Sequence, residues 1–139
     1  MPVPIRQSGT DHDLSSRFLS TTTVAGSPAA AAETVIATLT NASFGDLSIV
    51  SGVRLRGWCA FTVGTSGVSA RLRIKETGTS GATVADTGLT TVTAANLLEM
   101  SINGFDAAPG VGVYVLTLII GSGAAVSTVS AVSLAGDFI

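Results

Sequence analysis

The only histidine of the chain, His12, stands between Asp11 and Asp13, three adjacent side chains that can each ligate a metal or move a proton. On extended backbone, neighbouring residues point to opposite sides, so the three cannot converge on one ion, and no second cluster completes a site. A nucleophile–histidine–acid triad needs its base locked beside the nucleophile, and His12 lies in a polar stretch that offers no such frame. The remaining carboxylates are Glu33, Asp46, Glu76, Asp86, Glu99, Asp106 and Asp137. A facing pair would suit glycoside hydrolysis, but most of these fall in turns or alternate with apolar residues, as turn-forming Asp and solvated Glu do. Two Gly-Thr-Ser-Gly segments, at 64–67 and 78–81, lack the lysine of a phosphate loop and read as turns. Cys59 is the single cysteine and falls on an apolar strand face, where a free thiol behaves as a small hydrophobe. The sequence therefore predicts no enzyme: no catalytic residue, no metal ligand and no cofactor.

What remains is cationic. Arg54 and Arg56 lie on one segment and Arg71, Arg73 and Lys75 on the next, five of the seven basic residues of the chain, with Trp58 beside them. Alternation places all five on outward positions, and a hairpin through the 64–67 turn would gather them on one face. Like charges on neighbouring strands repel. The expected answer is pairing with Glu33, Glu76 or Glu99, and the alternative is docking on an acidic partner surface.

The elements that must position these residues are strands. From Val53 to Val63 the odd positions are Val, Leu, Gly, Cys, Phe and Val, and the even ones are Arg, Arg, Trp, Ala and Thr. Val68, Ala70, Leu72 and Ile74 then alternate with Ser69, Arg71, Arg73 and Lys75, the period of a half-buried strand. Further strands are expected at 33–39, 47–50, 82–85, 89–92, 98–103, 111–120 and 124–134, with Asn103-Gly104 and then 106–110 closing the 98–103 strand by a long turn. The count of about eight fits an all-β, antiparallel, jelly-roll-like β-sandwich better than a seven-stranded immunoglobulin-like one. The segment 111–120 is apolar on both parities: Val113, Val115 and Ile119 on one side, Tyr114, Leu116, Leu118 and Ile120 on the other. With no helix to cover a second face, another subunit is the expected cover, which makes Tyr114, Leu116, Leu118 and Ile120 the candidate oligomer interface.

Length and composition bound the rest. The 139 residues suit one domain, preceded by an extended N-terminal arm at residues 1–26 that holds Pro2, Pro4 and only isolated apolar residues. Ile5, Phe18 and Leu19 are the candidate contacts of that arm, and residues 27–139 form the domain. Apolar residues make up 46% and charged ones 12%, with a mean hydropathy of +0.57. The longest apolar stretch is still too short for a spanning helix, so no membrane is expected as a partner. A net charge of −2 gives little electrostatic drive toward nucleic acid. No apolar leader segment stands in the first twenty residues, so synthesis in a host cytoplasm without a signal peptide is expected.

The runs SPAAAAETVIATL at 27–39, FTVGTSGVSARLRI at 61–74 and STVSAVSLAG at 127–136 resemble small virion structural proteins of tailed bacteriophages, the capsid decoration (cement) or head-fibre class. The resemblance implies a jelly-roll trimer on the outside of a shell that clamps the major capsid protein, with the arm as a capsid-binding or subunit-linking element. It carries over no site residue. The competing expectation is a receptor- or carbohydrate-binding module of a phage fibre, which would stack sugars on exposed aromatics such as Trp58 and Tyr114.

Overall fold

The computed structural model describes residues 18–19, 32–40, 51–63, 68–92, 97–109, 113–121 and 128–139. Nine strands lie in these segments: β1 (Phe18–Leu19), β2 (Glu33–Leu39), β3 (Val53–Thr62), β4 (Val68–Glu76), β5 (Thr83–Asp86), β6 (Thr90–Val92), β7 (Leu98–Asp106), β8 (Tyr114–Ile120) and β9 (Thr128–Phe138). They form two antiparallel sheets, one in the order β1-β9-β3-β7 and the other in the order β2-β8-β4-β5, with β6 also paired to β4.

The pairing is nested. Strand β1 lies beside β9, β2 beside β8, β3 beside β7, and β4 beside β5 and β6. A long hairpin folded over on itself gives this nesting, and β9 against β3 and β8 against β4 complete the sheets. The result is a jelly roll, an all-β sandwich as the alternation predicts. Its last short strand is split: β5 covers one half of the β4 edge and β6 the other, at Arg73–Lys75 and Val68–Ala70 respectively. At the break Gly88 adopts a left-handed φ of 73°, and its N–H donates to Asp86 Oδ1. Thr87 keeps the ladder closed, with its N–H donating to the Leu72 carbonyl and its hydroxyl accepting from the Leu72 N–H.

The hairpin expected between Val53–Val63 and Val68–Ile74 does not form. Strand β3 pairs with β7 and β9 in the first sheet, and β4 pairs with β5, β6 and β8 in the second. The connection between them crosses from sheet to sheet. Alternation reports that each strand buries one face, and two strands that bury their faces on the same core from opposite sides carry the same pattern as a pair side by side. The 78–81 turn does close a hairpin, β4 to β5, where the Gly81 N–H donates to the Gly78 carbonyl and the Glu76 N–H to the Ala82 carbonyl.

The core fills the space between the sheets, with Leu55, Phe61, Leu72, Ile74, Leu116, Leu118, Ile120 and Leu134 wholly buried. Gly57 leaves room for core side chains packed directly over the backbone. A Cβ there would lie 2.7 Å from Leu116 Cδ1 and 2.9 Å from Ile102 Cγ2. A bulge in β2 between Val35 and Ala37 turns both Ile36 and Ala37 into this core. Strand β7 runs on past Asn103-Gly104, which does not turn, because its register with β3 continues through Leu55↔Gly104 and Val53↔Asp106. Strand β9 likewise extends to Phe138.

Candidate functional site

The outer face of the second sheet is built by four strands whose outward residues answer one another. Glu33 enters from β2, Thr117 and Ile119 from the central β8, and Arg71, Arg73 and Lys75 from β4, with Arg71↔Ile119↔Glu33 and Arg73↔Thr117↔Val35 in register. Asp86 stands on β5 opposite Arg73. Arg71 grips Asp86 through two parallel hydrogen bonds, Nε to Oδ1 at 2.8 Å and Nη2 to Oδ2 at 2.6 Å. Arg73 donates to Asp86 Oδ2 at 3.0 Å and to Glu33 Oε1 at 3.4 Å. Lys75 reaches Glu33 Oε1 at 3.4 Å and the Thr79 carbonyl, and the Thr117 hydroxyl donates to Glu33 Oε2 at 2.7 Å. The hydrogen bonds from Arg71 outweigh the cost of burial and hold the Asp86 carboxyl well below the usual aspartate range.

This lattice spans β8, because Glu33 and its cations stand on the strands to either side of it. The alkyl stems of Arg73 and Lys75 come with it, as long cationic side chains cover apolar surface while their heads stay polar. Val115 and Thr117 are buried on this outward parity. The second apolar face of 111–120 thus needs no other subunit. Tyr114, Leu116, Leu118 and Ile120, the expected oligomer interface, are the inward parity and are at most 1% exposed. They are core, and no second copy can touch them in the folded chain.

The outer face of the first sheet is different. Arg54, Arg56 and Trp58 project from β3, flanked in register by Phe105, Asn103 and Ser101 of β7 and by Asp137, Ala135 and Ser133 of β9. Arg56 pairs with Asp137 at 2.9 Å, and the Trp58 indole N–H donates to Glu99 Oε1 at 3.1 Å. Arg54 is exposed and makes no ion pair among the described residues. Phe105 and Ile139, 51% and 47% exposed, flank it at one end, with the Phe105 ring resting where a Cβ of Gly52 would stand. The five cations expected on one basic face are therefore split, two on this sheet and three within the lattice of the other. Of the carboxylates expected to answer them, Glu33 does so; Asp86, read from sequence as a turn residue, does so too.

Of the arm contacts, Phe18 and Leu19 form β1 and pair with Gly136 and Ala135 at the edge of the first sheet. Ile5 lies outside the described residues, as do His12, Asp11, Asp13, Asp46 and the 64–67 turn. Among the described residues no group of three or more His, Cys, Asp or Glu is placed to hold a metal, and no helix is long and apolar enough to cross a membrane. Burial pushes the Cys59 thiol up to about 12, which keeps it protonated and unreactive.

Two solved structures share this architecture. One, from infectious bursal disease virus strain Gx, aligns at TM-score 0.58 with 13% identity over 87% of this chain and 32% of that one. The other, the infectious bursal disease virus VP2 subviral particle, aligns at TM-score 0.57 with 12% identity over 87% and 32%. The fold is one that virus particles use. This chain spans about a third of the length of those chains, and identity this low establishes the fold alone. A CBM4 structure aligns at TM-score 0.48 with 13% identity over 88% of this chain and 94% of that one. No protein-family model and no curated protein matches the sequence.

Proposed function

We propose that the chain is a non-catalytic structural virion protein: a jelly-roll subunit that oligomerises, as a trimer, and binds the outside of a phage capsid as a decoration or cement protein. The observation that carries this reading is how the polar side chains are used. Arg71, Arg73, Lys75, Glu33, Asp86 and Thr117 are engaged with one another across four strands, which is how a rigid building block is made. A surface open to a partner is the first sheet's outer face, with Arg54, Phe105 and Ile139. The jelly roll shared with virus-particle chains supports the same reading. In this role the work is done by buried interface area between chains, with the major capsid protein as partner and the virion surface as location.

Light scattering on the eluting peak of a size-exclusion column, followed by co-sedimentation with purified capsid shells, tests it. A stable trimer that pellets with shells is the expected result; a monomer indifferent to shells sinks the proposal. The second reading, a receptor- or carbohydrate-binding module of a fibre, is favoured by one observation: Trp58 and Phe105 stand on the same open face. Tyr114, the other expected stacking residue, is buried. Glycan-array binding that Trp58→Ala abolishes would select this reading over the first.

A further inference from the structure

A sheet edge invites further pairing, because its outer N–H and C=O groups face no strand, and three edges of this fold are blunted against it. Strand β2 is interrupted by its bulge between Val35 and Ala37. Strands β5 and β6 are four and three residues long, with Gly88 between them. Strand β9 carries a bulge between Val129 and Ala131 and has β1 against Ala135 and Gly136. Strand β7 has none of these devices. Its nine residues, LEMSINGFD, pair with β3 in unbroken register and include no proline, lysine or arginine. Among the described residues no strand lies on its other side. Two large apolar side chains stand open along it, Phe105 at 51% exposure and, just before the strand, Leu97 at 60%. Glu99, Ser101 and Asn103, between them on the same outward parity, are exposed as well.

We propose that the β7 edge pairs antiparallel with the β7 edge of a second copy about a dyad at Ser101, joining two first sheets into one continuous sheet. Leu97 and Phe105 stand equally far before and after Ser101, so this register sets Leu97 against the partner's Phe105, and does so twice. Glu99, whose Oε1 accepts from Trp58, meets the partner's Asn103, whose amide can donate to it. On the inward parity Met100 meets the partner's Ile102, which extends the rim of core where Leu98 and Met100 already pack. Leu98 meets the partner's Gly104, a large residue against one with no side chain. No like charges stand opposite each other. Moving the dyad to Ile102 sets Glu99 against the partner's Phe105 and Asp106 against the partner's Leu98, and moving it to Met100 sets Leu97 against the partner's Asn103. The dyad at Ser101 alone of these three matches apolar with apolar, and it is isologous, the same residues serving on both copies. The paired span, about 30 Å long and about 10 Å thick, buries roughly 600 Å² over both copies, less than the ~1,200 Å² of a stable dimer. The contact therefore fills at high concentration and leaves the dilute species as it is.

Disulfide trapping in the full chain tests the register. Opposite residues of an antiparallel pair have Cα atoms about 4.5–5.5 Å apart, within the span of a disulfide. Ser101→Cys places two thiols face to face on the dyad, whereas Asn103→Cys leaves them four residues out of step, about 14 Å apart along the strands. Cys59 is buried, and the parent chain controls for it. With diamide at high protein concentration, Ser101→Cys should form a linked dimer on a non-reducing gel at least about tenfold faster than Asn103→Cys. A second measurement needs no added thiol: the light-scattering mass of the parent should rise with concentration, and that rise should vanish in Ser101→Asp, which sets two carboxylates opposite each other, with the circular dichroism of the parent retained. Equal linking rates for the two cysteine variants, or a rise in mass that Ser101→Asp leaves intact, overturns the contact. The inference does not rest on the capsid reading. Slow linking in a chain that pellets with shells sinks the edge contact and spares that reading, and fast linking in a chain indifferent to shells does the reverse.

Discussion

On the outer face of the β2-β8-β4-β5 sheet Arg71, Arg73 and Lys75 are all held by carboxylates, whereas on the outer face of the β1-β9-β3-β7 sheet Arg54 has no ion pair among the described residues and Phe105 and Ile139 keep about half their surface in water. Both faces are made by strands of the same alternation, cation after apolar residue. They diverge in their neighbours. On the second sheet the central strand β8 presents Val115 and Thr117 outward, and the strands beside it supply an acid and three long cations that reach over it. On the first, short side chains, Ser101, Ser133, Asn103 and Ala135, flank Trp58 and Arg56, which turn to Glu99 and Asp137, and Arg54 between Phe105 and Asp137 is left exposed without an ion pair among the described residues. A charged face closed on itself holds the fold together; one left open is the surface a partner can use.

The comparison can be broken first at its shared base. Leu118→Ala removes a wholly buried side chain from the core and should cost about 2–5 kcal/mol in urea denaturation. The residue was expected to be an interface position, and if it were one, oligomeric state would change while monomer stability did not. The closed face comes next. Glu33→Ala leaves Lys75 and Arg73 without that acid and the Thr117 hydroxyl without its acceptor, for an expected loss of roughly 2–3 kcal/mol, less than for a fully buried pair because Glu33 keeps some contact with solvent. Loss within 0.5 kcal/mol would mean the lattice is surface decoration.

Asp86 gives the same face a pH dependence. Its folded carboxyl titrates below the ordinary value, so it contributes stability above about pH 4 that is lost as pH falls through the folded value. Denaturation midpoints between pH 2 and 5 should fall with acid in the parent and fall less in Asp86→Asn, a smaller change than that of Glu33→Ala. The open face should show the smallest effect on stability and the largest on binding. Arg54→Glu combined with Phe105→Ser is expected to shift stability by no more than about 0.5 kcal/mol and to abolish pelleting with capsid shells. Undiminished pelleting would move the contact elsewhere on the molecule.

Much of this fold was legible in the alternation. The bounds of β2 at Glu33 and Leu39, the inward and outward sets of β3 and β4, and the turn at 78–81 all follow from side-chain period and turn chemistry. The ion pair of Arg73 with Asp86 was not within reach, since counting back from that turn puts Arg73 opposite Ala85, and only the register shift between Ile74 and Lys75 brings it opposite Asp86. The bulge at Ile36 left no mark, because Val35-Ile36-Ala37 is apolar whichever residue is the extra one. The partner of each strand was equally silent. Burial of one face is a property of a strand's own residues, but which strand lies beside it is settled by the whole chain's packing.

The same division applies to 111–120. Its own residues determined that both faces of β8 would leave water, since Val115, Leu116, Leu118 and Ile120 cannot remain exposed without cost. What covers the outward face was decided only in three dimensions, by Glu33 from 84 residues upstream closing over Thr117 with Arg73 and Lys75. Sequence carries the demand for burial locally, through the free energy of each side chain in water. The means of meeting it depends on charges brought together by chain topology, and a pairing energy exists only once the strands that bear its two halves are side by side.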